Sequence, residues 1–361
     1  AMAIPYLAAG PMENGRITLI VRETNEKISV APRMVVNASG AWVDRVQGNL
    51  GFTDRMIGGT KGAHLIMRHA ELAKQLGDTM LYFETDDHRS CLIYKMDSDL
   101  LMLGTTDLRN DNPDDKTTTE AEIDYLFGVL RPILPKVRFT RQDIVFAYAG
   151  VRPLPLSTDS ATGAISRDHK LVRYPVAPGR PFPMVTLVGG KWTTYRVVGE
   201  QIAAEVLQFL GKERRVDTKV LAIGGGNGYP ALGAARDEWL GSMARRHRLS
   251  RERCRLLATR YGANADGFAA AEAASADRFA HLKDYTPAEI DLITRTERVT
   301  HLEDVVLRRT LMAFEGAVSV GSLDEVSKVL AAALGWDETS RLAEVEACAR
   351  LLRERHRMVI A

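Results

Sequence analysis

The stretch LVGGKWTTYRVVGEQIAAEVL (Leu187–Leu207) limits the fold more than any other part of the chain. An apolar run stops on Gly189 and Gly190. After Lys191, Trp192, Thr193 and Thr194, apolar residues recur at helical spacing through Val198, Ile202, Val206 and Phe209. A strand that turns into a helix through glycines lets the backbone approach a ligand closely. The free N–H groups of the first helical turn then favour an anion or an electron-rich carbonyl. Lys191 adds a mobile positive charge, and Thr193 and Thr194 add donors. A plain strand–turn–helix with a capping threonine fits the same letters equally well.

Upstream, the chain alternates in the β manner. Residues 16–39 predict a hairpin whose second arm ends in Asn37-Ala38-Ser39-Gly40. TMLYFE, SCLIY and DLLMLGTTD, within residues 79–107, predict an antiparallel meander. Thr117–Pro135 predicts a helix, with Thr119 and Glu122 at capping-box spacing. DIVFAYAGVRPLP, SRDHKLVRY and PMVTLVGG predict further strands. After about residue 212 the texture changes, and from Ala231 alanine, leucine and arginine recur at helical period. One helix start there is well marked, with Thr286 as N-cap, Pro287 at the first helical position and Glu289 closing the box.

The 361 residues carry a net charge of +2, which gives no bulk reason to expect nucleic acid as a partner. The six arginines of Arg245–Arg255 read first as a solvated helix face and second as a contact for an anionic surface. Cys91, Cys254 and Cys348 form no CxxC pair, which argues against a disulfide framework and suits a reducing, cytoplasmic setting. The eight histidines form no metal-ligand constellation, so no metal is expected. No run has the length of a membrane-spanning helix.

Several residues are candidates for chemistry. In GVRPLP a strand delivers Arg152 at its end and two prolines fix the backbone after it, which suits a bidentate contact to phosphate or carboxylate; a surface arginine is the plainer reading. Arg167, in SRDH, has the same pair of readings. His64 follows the glycines of GGTKGAH, which permit close ligand approach, although a lone histidine there is commonly structural. Gly226-Asn227-Gly228-Tyr229-Pro230-Ala231 fits a relaxed dinucleotide fingerprint, but Pro230 sits inside it and no returning strand follows.

Taken together, VVNASGAWVD, GTKGAHLIM, MLGTTD, DIVFAYAGVRPL, SRDH, GGKWTTYR and HLEDVVLRRT resemble, in order, the FAD-dependent, quinone-linked glycerol-3-phosphate dehydrogenases. The resemblance implies an α+β fold. Residues 1–57 and 140–211 would be a partial FAD-binding domain, 58–139 a mixed β-sheet substrate (cap) domain, and 212–361 an all-helical C-terminal domain. It implies that Ala38, Ser39, Gly40, Trp42, Gly189, Gly190, Lys191, Trp192 and Thr193 meet FAD. Arg152 and Arg167 would hold the phosphate of glycerol 3-phosphate or a similar polyol phosphate, with His64 and Lys191 lining the same pocket. Hydride passes from C2 to the flavin, and His64 or Lys191 is the base; the sequence leaves that choice open. Quinone as acceptor, a homodimer, and peripheral contact with the cytoplasmic face of the inner membrane are also implied.

The family's opening G-x-G-x-x-G strand–turn–helix is not found. The chain therefore reads as a C-terminal portion lacking that segment, expected to bind FAD and turn over weakly by itself. Ala63 stands where the family usually has serine, and IYKMD (Ile93–Asp97) replaces an apolar segment. Two other enzymes share the scaffold as alternatives, a dehydrogenase of another polyol phosphate and a glycerophosphate oxidase. A non-catalytic phosphate-ligand or partner-binding remnant is the alternative of a different class.

Overall fold

Asn14 and Gly15, both at positive φ, close a two-residue turn between Leu7–Glu13 (β1) and Arg16–Val21 (β2), where the twist of a tight hairpin asks for this pair. Lys27–Val30 (β3) adds to β2 antiparallel and completes a three-stranded sheet. The computed structural model describes residues 2–85, 89–157, 162 and 165–360. Val35–Asn37 (β4) leaves the first sheet, so the second arm expected over residues 27–39 is two strands in two sheets. The break falls at Ala31-Pro32, where proline removes a ladder donor.

A short helix, Val43–Asn49 (α1), leads to Thr60–Arg68 (β5), Ala70–Leu76 (α2), Met80–Glu84 (β6), Ser90–Asp97 (β7), Leu100–Gly104 (β8) and Leu108–Arg109 (β9). Glu120–Leu130 (α3) and Ile144–Arg152 (β10) follow. The strands order as β10-β5-β8-β7-β6, all antiparallel, with β9 also on β5. The meander is therefore as read, and β10 joins the same sheet although it lies beyond residue 139.

Sheet alternation decides which face is free. Leu65, Met67, Ile93, Leu101, Leu103 and Ala147 point to one face and bury against Ile123, Leu126, Phe127 and Leu130 of α3 and Leu72 and Leu76 of α2. Each such side chain contributes about 1.5–3 kcal/mol on burial. The α3 start is held by the capping box, in which Thr119 Oγ1 accepts from Glu122 N and the Glu122 carboxylate accepts from Thr119 N. The opposite face carries Gly62, His64, Gly104, Tyr148 and Arg152.

Lys170–Tyr174 (β11) and Met184–Val188 (β12) form a third sheet with β4, in the order β11-β12-β4. Here β12 and β4 run parallel, Thr186 beside Asn37. Tyr195–Phe209 (α4) follows the glycine corner as the periodicity requires.

The chain divides into residues 1–219 and 220–361. The second unit is helical: Ala234–His247 (α5), Arg251–Tyr261 (α6), Ala265–Ala273 (α7), Pro287–Thr296 (α8), Val320–Leu334 (α9) and Glu338–His356 (α10), with a π-type turn over Asp304–Arg309. The α+β class, mixed sheets followed by helices, is what the structure shows. Thr286 caps α8 as read, but the Glu289 carboxylate does not close the box. It accepts instead from Arg253, Arg260 and Tyr261, at 2.6, 3.0 and 2.6 Å. The glycine-rich Gly226–Ala231 segment is a turn of this unit. The neighbouring Gly225 carbonyl accepts from Ala263 N, and the residues directly before it, 210–224, form no strand.

Candidate active site

Gly62 and Gly104 shape the free face of the six-stranded sheet. A Cβ on Gly62 would fall 2.0 Å from Arg152 Nη2, and one on Gly104 would fall 2.0 Å from His64 Cδ2. The arginine and the imidazole therefore lie flat against backbone that carries no side chain. Arg152 donates to Asp107 Oδ1 at 3.1 Å and to Thr105 Oγ1 at 2.9 Å. Burial pulls Arg152 below its ordinary value and the charge of Arg167 adds to this, against the pull of Asp107. The guanidinium remains protonated.

Arg152 and Arg167 line one cavity of about 340 Å³, together with Thr105, Asp107, Arg89, Ser90 and Tyr82. No described carboxylate pairs with Arg167. Sequence reasoning missed Arg89, because an arginine in a hairpin carries no local signal. The MLGTTD segment was legible as a motif, but the direction in which Thr105 and Asp107 face was not.

His64 stacks on Tyr148, ring centroids 4.9 Å apart. Burial, and then the charge of Arg152, lower its pKa to about 4, so the imidazole is neutral near pH 7. Its Nδ1 is buried without a hydrogen-bond partner among the described residues. Buried polar atoms seldom lack partners.

The glycine corner meets this region through backbone. Gly189 and Gly190 have φ of +72° and +98°, which side-chain-bearing residues rarely adopt. A Cβ on Gly189 would fall 2.7 Å from the Asp168 carbonyl oxygen and 3.4 Å from Pro155. The segments just after Arg167 and just after Arg152 thus close on the corner. Lys191 is exposed, and its carbonyl accepts from Thr194 N and Oγ1. Trp192 is 87% exposed and stacks on Tyr195, centroids 5.7 Å apart. Thr193 is exposed beside them.

Whether these residues fit FAD can be judged from the ends of β4 and β12. In open α/β sheets, dinucleotides sit beyond the carboxyl ends of parallel strands. Ala38-Ser39-Gly40 follows β4 and Gly189-Gly190 follows the neighbouring parallel β12. Ser39 N and Oγ donate to Asn37 Oδ1, and Gly40 has φ +61° with open space where a Cβ would stand. Two glycine turns at adjacent strand ends, beside an exposed indole, fit the group. Trp42 differs: its Nε1 donates to Asp114 Oδ1 at 2.9 Å and Lys116 lies over its ring, so its polar edge belongs to the 112–117 loop.

Residues 9–196 match the FAD dependent oxidoreductase family. The chain belongs to the FAD-dependent oxidoreductases. FAD is the cofactor of that family, and catalysis is its character. Residues 216–341 of this oxidoreductase match the C-terminal domain of alpha-glycerophosphate oxidase. The chain is 31% identical to a glycerol-3-phosphate dehydrogenase of Synechocystis over 94% of its own length, and spans 63% of that relative. It is 28% identical to glycerol-3-phosphate dehydrogenase 2 of Mycobacterium tuberculosis over 87% of its length, spanning 52% of that protein. The structure superposes on glycerol-3-phosphate dehydrogenase of Bacillus halodurans complexed with FAD, with a TM-score of 0.77 at 21% identity, over 98% of this chain and 69% of that one.

These matches correct one expectation. The oxidoreductase is not merely a C-terminal portion without the FAD-binding segment, because the FAD-dependent oxidoreductase match begins at residue 9. The glycine fingerprint had stood proxy for a whole domain, whereas β4, β12 and their turns are also parts of it.

Proposed function

We propose that this oxidoreductase oxidises glycerol 3-phosphate, or a polyol phosphate close to it, to the 2-keto phosphate, dihydroxyacetone phosphate in the first case. The observation that carries this reading is the pairing of Arg152 and Arg167 on one cavity, beside a neutral His64 on the same sheet face. Two guanidinium forks suit the oxygens of a phosphate dianion. Bound FAD supplies the acceptor for the hydride that leaves C2. As the C2–H bond breaks, the C2 hydroxyl loses its proton to His64 and the carbonyl forms. Binding of the dianion offsets the charge of Arg152, which lifts the His64 pKa and makes the imidazole a better base at the moment it is needed. Lys191 is the alternative base, and its place in the glycine corner, one turn before α4, suits it better to the electron-rich edge of the flavin.

The motif resemblance extends the proposal to quinone as the electron acceptor and to a homodimer at the cytoplasmic face of the inner membrane. No helix among the described residues is long and apolar enough to cross a membrane. Of the Arg245–Arg255 cluster, Arg246, Arg251 and Arg253 are engaged by Asp266, Asp237, and Glu272 with Glu289. That pairing favours a solvated and internally neutralised row over a lipid-binding one.

Anaerobic mixing of the FAD-loaded protein with glycerol 3-phosphate tests the reading. Bleaching of the flavin absorbance with formation of dihydroxyacetone phosphate supports it, and no bleaching with any polyol phosphate refutes it. The match to an alpha-glycerophosphate oxidase domain favours a second reading, an oxidase, which peroxide formation in air would distinguish from quinone reduction.

A further inference from the structure

A histidine that moves protons is ordinarily oriented through its second ring nitrogen, which donates to a carboxylate or a carbonyl. His64 lacks that device, since Nδ1 is buried without a partner among the described residues. Both of its cross-strand neighbours contact the ring instead. Gly104, its register partner on β8, leaves room for the imidazole to lie against backbone. Tyr148, its register partner on β10, stacks on it with planes 6° from parallel. The tyrosine is itself anchored, for its hydroxyl donates to Met102 Sδ at 3.7 Å.

We infer that Tyr148 is a positioning residue, which holds the His64 ring against Gly104 and so fixes the direction in which the substrate hydroxyl must approach. This rests on the reading of His64 as the base. A stacked ring restrains tilt without taking up a ring nitrogen, so Nε2 stays available for proton transfer while Nδ1 is buried.

The test is proton NMR titration of the histidine-labelled holoprotein, with the His64 signal assigned from His64→Gln, alongside steady-state kinetics with glycerol 3-phosphate. Tyr148→Leu is expected to move the His64 midpoint upward towards the ordinary value. It should also lower kcat by roughly ten-fold, part of the 10²–10⁴ a positioned base contributes, with KM little changed. Tyr148→Phe keeps the ring and is expected to restore both. Gly104→Ala pushes the imidazole from the other side and must move the same midpoint, which keeps the test decisive if Tyr148→Leu does not fold. An unmoved midpoint and unchanged kcat in Tyr148→Leu, or in Gly104→Ala should that be the only folded variant, overturn the inference. Wild-type turnover in His64→Gln would instead overturn the reading of His64 as base, while the titration still decides whether Tyr148 holds the ring.

Discussion

The His64 imidazole and the Tyr148 phenol ring lie 4.9 Å apart between centroids, with planes 6° from parallel. The stack helps keep the imidazole out of water, and burial followed by the charge of Arg152 sets its pKa near 4 against an ordinary 6.5. Between those values the unfolded chain binds more protons than the folded one, so stability rises with pH across that window. The protein is expected to lose stability as pH falls from about 6.5 to 4, by up to roughly 3 kcal/mol at about 1.36 kcal/mol per pKa unit. Urea midpoints of wild type and His64→Gln at pH 7 and pH 4.5 check this. A variant with the same pH slope as wild type would contradict it.

Gly62→Ala places a methyl group where the Arg152 guanidinium now lies. The arginine must swing away, and the proposed phosphate contact goes with it. Hydrogen bonds to a charged group are worth about 1.5–3 kcal/mol, so KM for glycerol 3-phosphate should rise roughly 10- to 100-fold while kcat changes little. Steady-state kinetics decide, and an unchanged KM removes Arg152 from phosphate binding.

Lys61 is an ion-pair partner of Glu122 at 3.1 Å and of Asp115 at 3.2 Å, with side-chain exposures of 4% for Lys61 and 1% for Glu122. Removing one member of a buried pair strands the other, at a cost of about 3–5 kcal/mol. Lys61→Ala should lower the thermal midpoint by several degrees. Little change would mean that water replaces the ammonium.

In the helical unit, Glu289 is fully buried and takes Arg253, Arg260 and the Tyr261 hydroxyl. Glu289→Ala is expected to destabilise that unit by about 3–5 kcal/mol, since Arg260 loses its carboxylate. Hydrogen exchange confined to residues 220–361 would show it, whereas uniform exchange across the chain would not fit.

What could be read in the sequence was local. The capping box of Thr119 and Glu122 and the β–glycine–α passage at Gly189-Gly190 are set by residues within one turn of each other, and both stand in the structure. Asn14-Gly15 was an equally local hairpin signal that went unused, and β1 was missed with it. Sheet membership was not local. Val35–Asn37 alternates like the strand before it, but only its pairing with Val185 and Thr186 shows that it belongs to another sheet. Likewise Glu289 had capping spacing, yet arginines from α6 compete for its carboxylate, and charged donors prevail over a neutral backbone N–H. In the site, Arg152, Arg167 and His64 were readable as residue types. Arg89, Thr105 and Asp107 were not, because turns distant in sequence bring them to the cavity.

The central claim is that two arginines, one at the end of β10 and one in the loop before β11, grip a phosphorylated alcohol beside His64. A crystal structure of the FAD-loaded protein soaked with glycerol 3-phosphate tests it most directly. The phosphate should lie between the Arg152 and Arg167 guanidinium groups, with the C2 hydroxyl directed at the His64 ring. A phosphate bound elsewhere, with those two arginines unchanged, would contradict the claim.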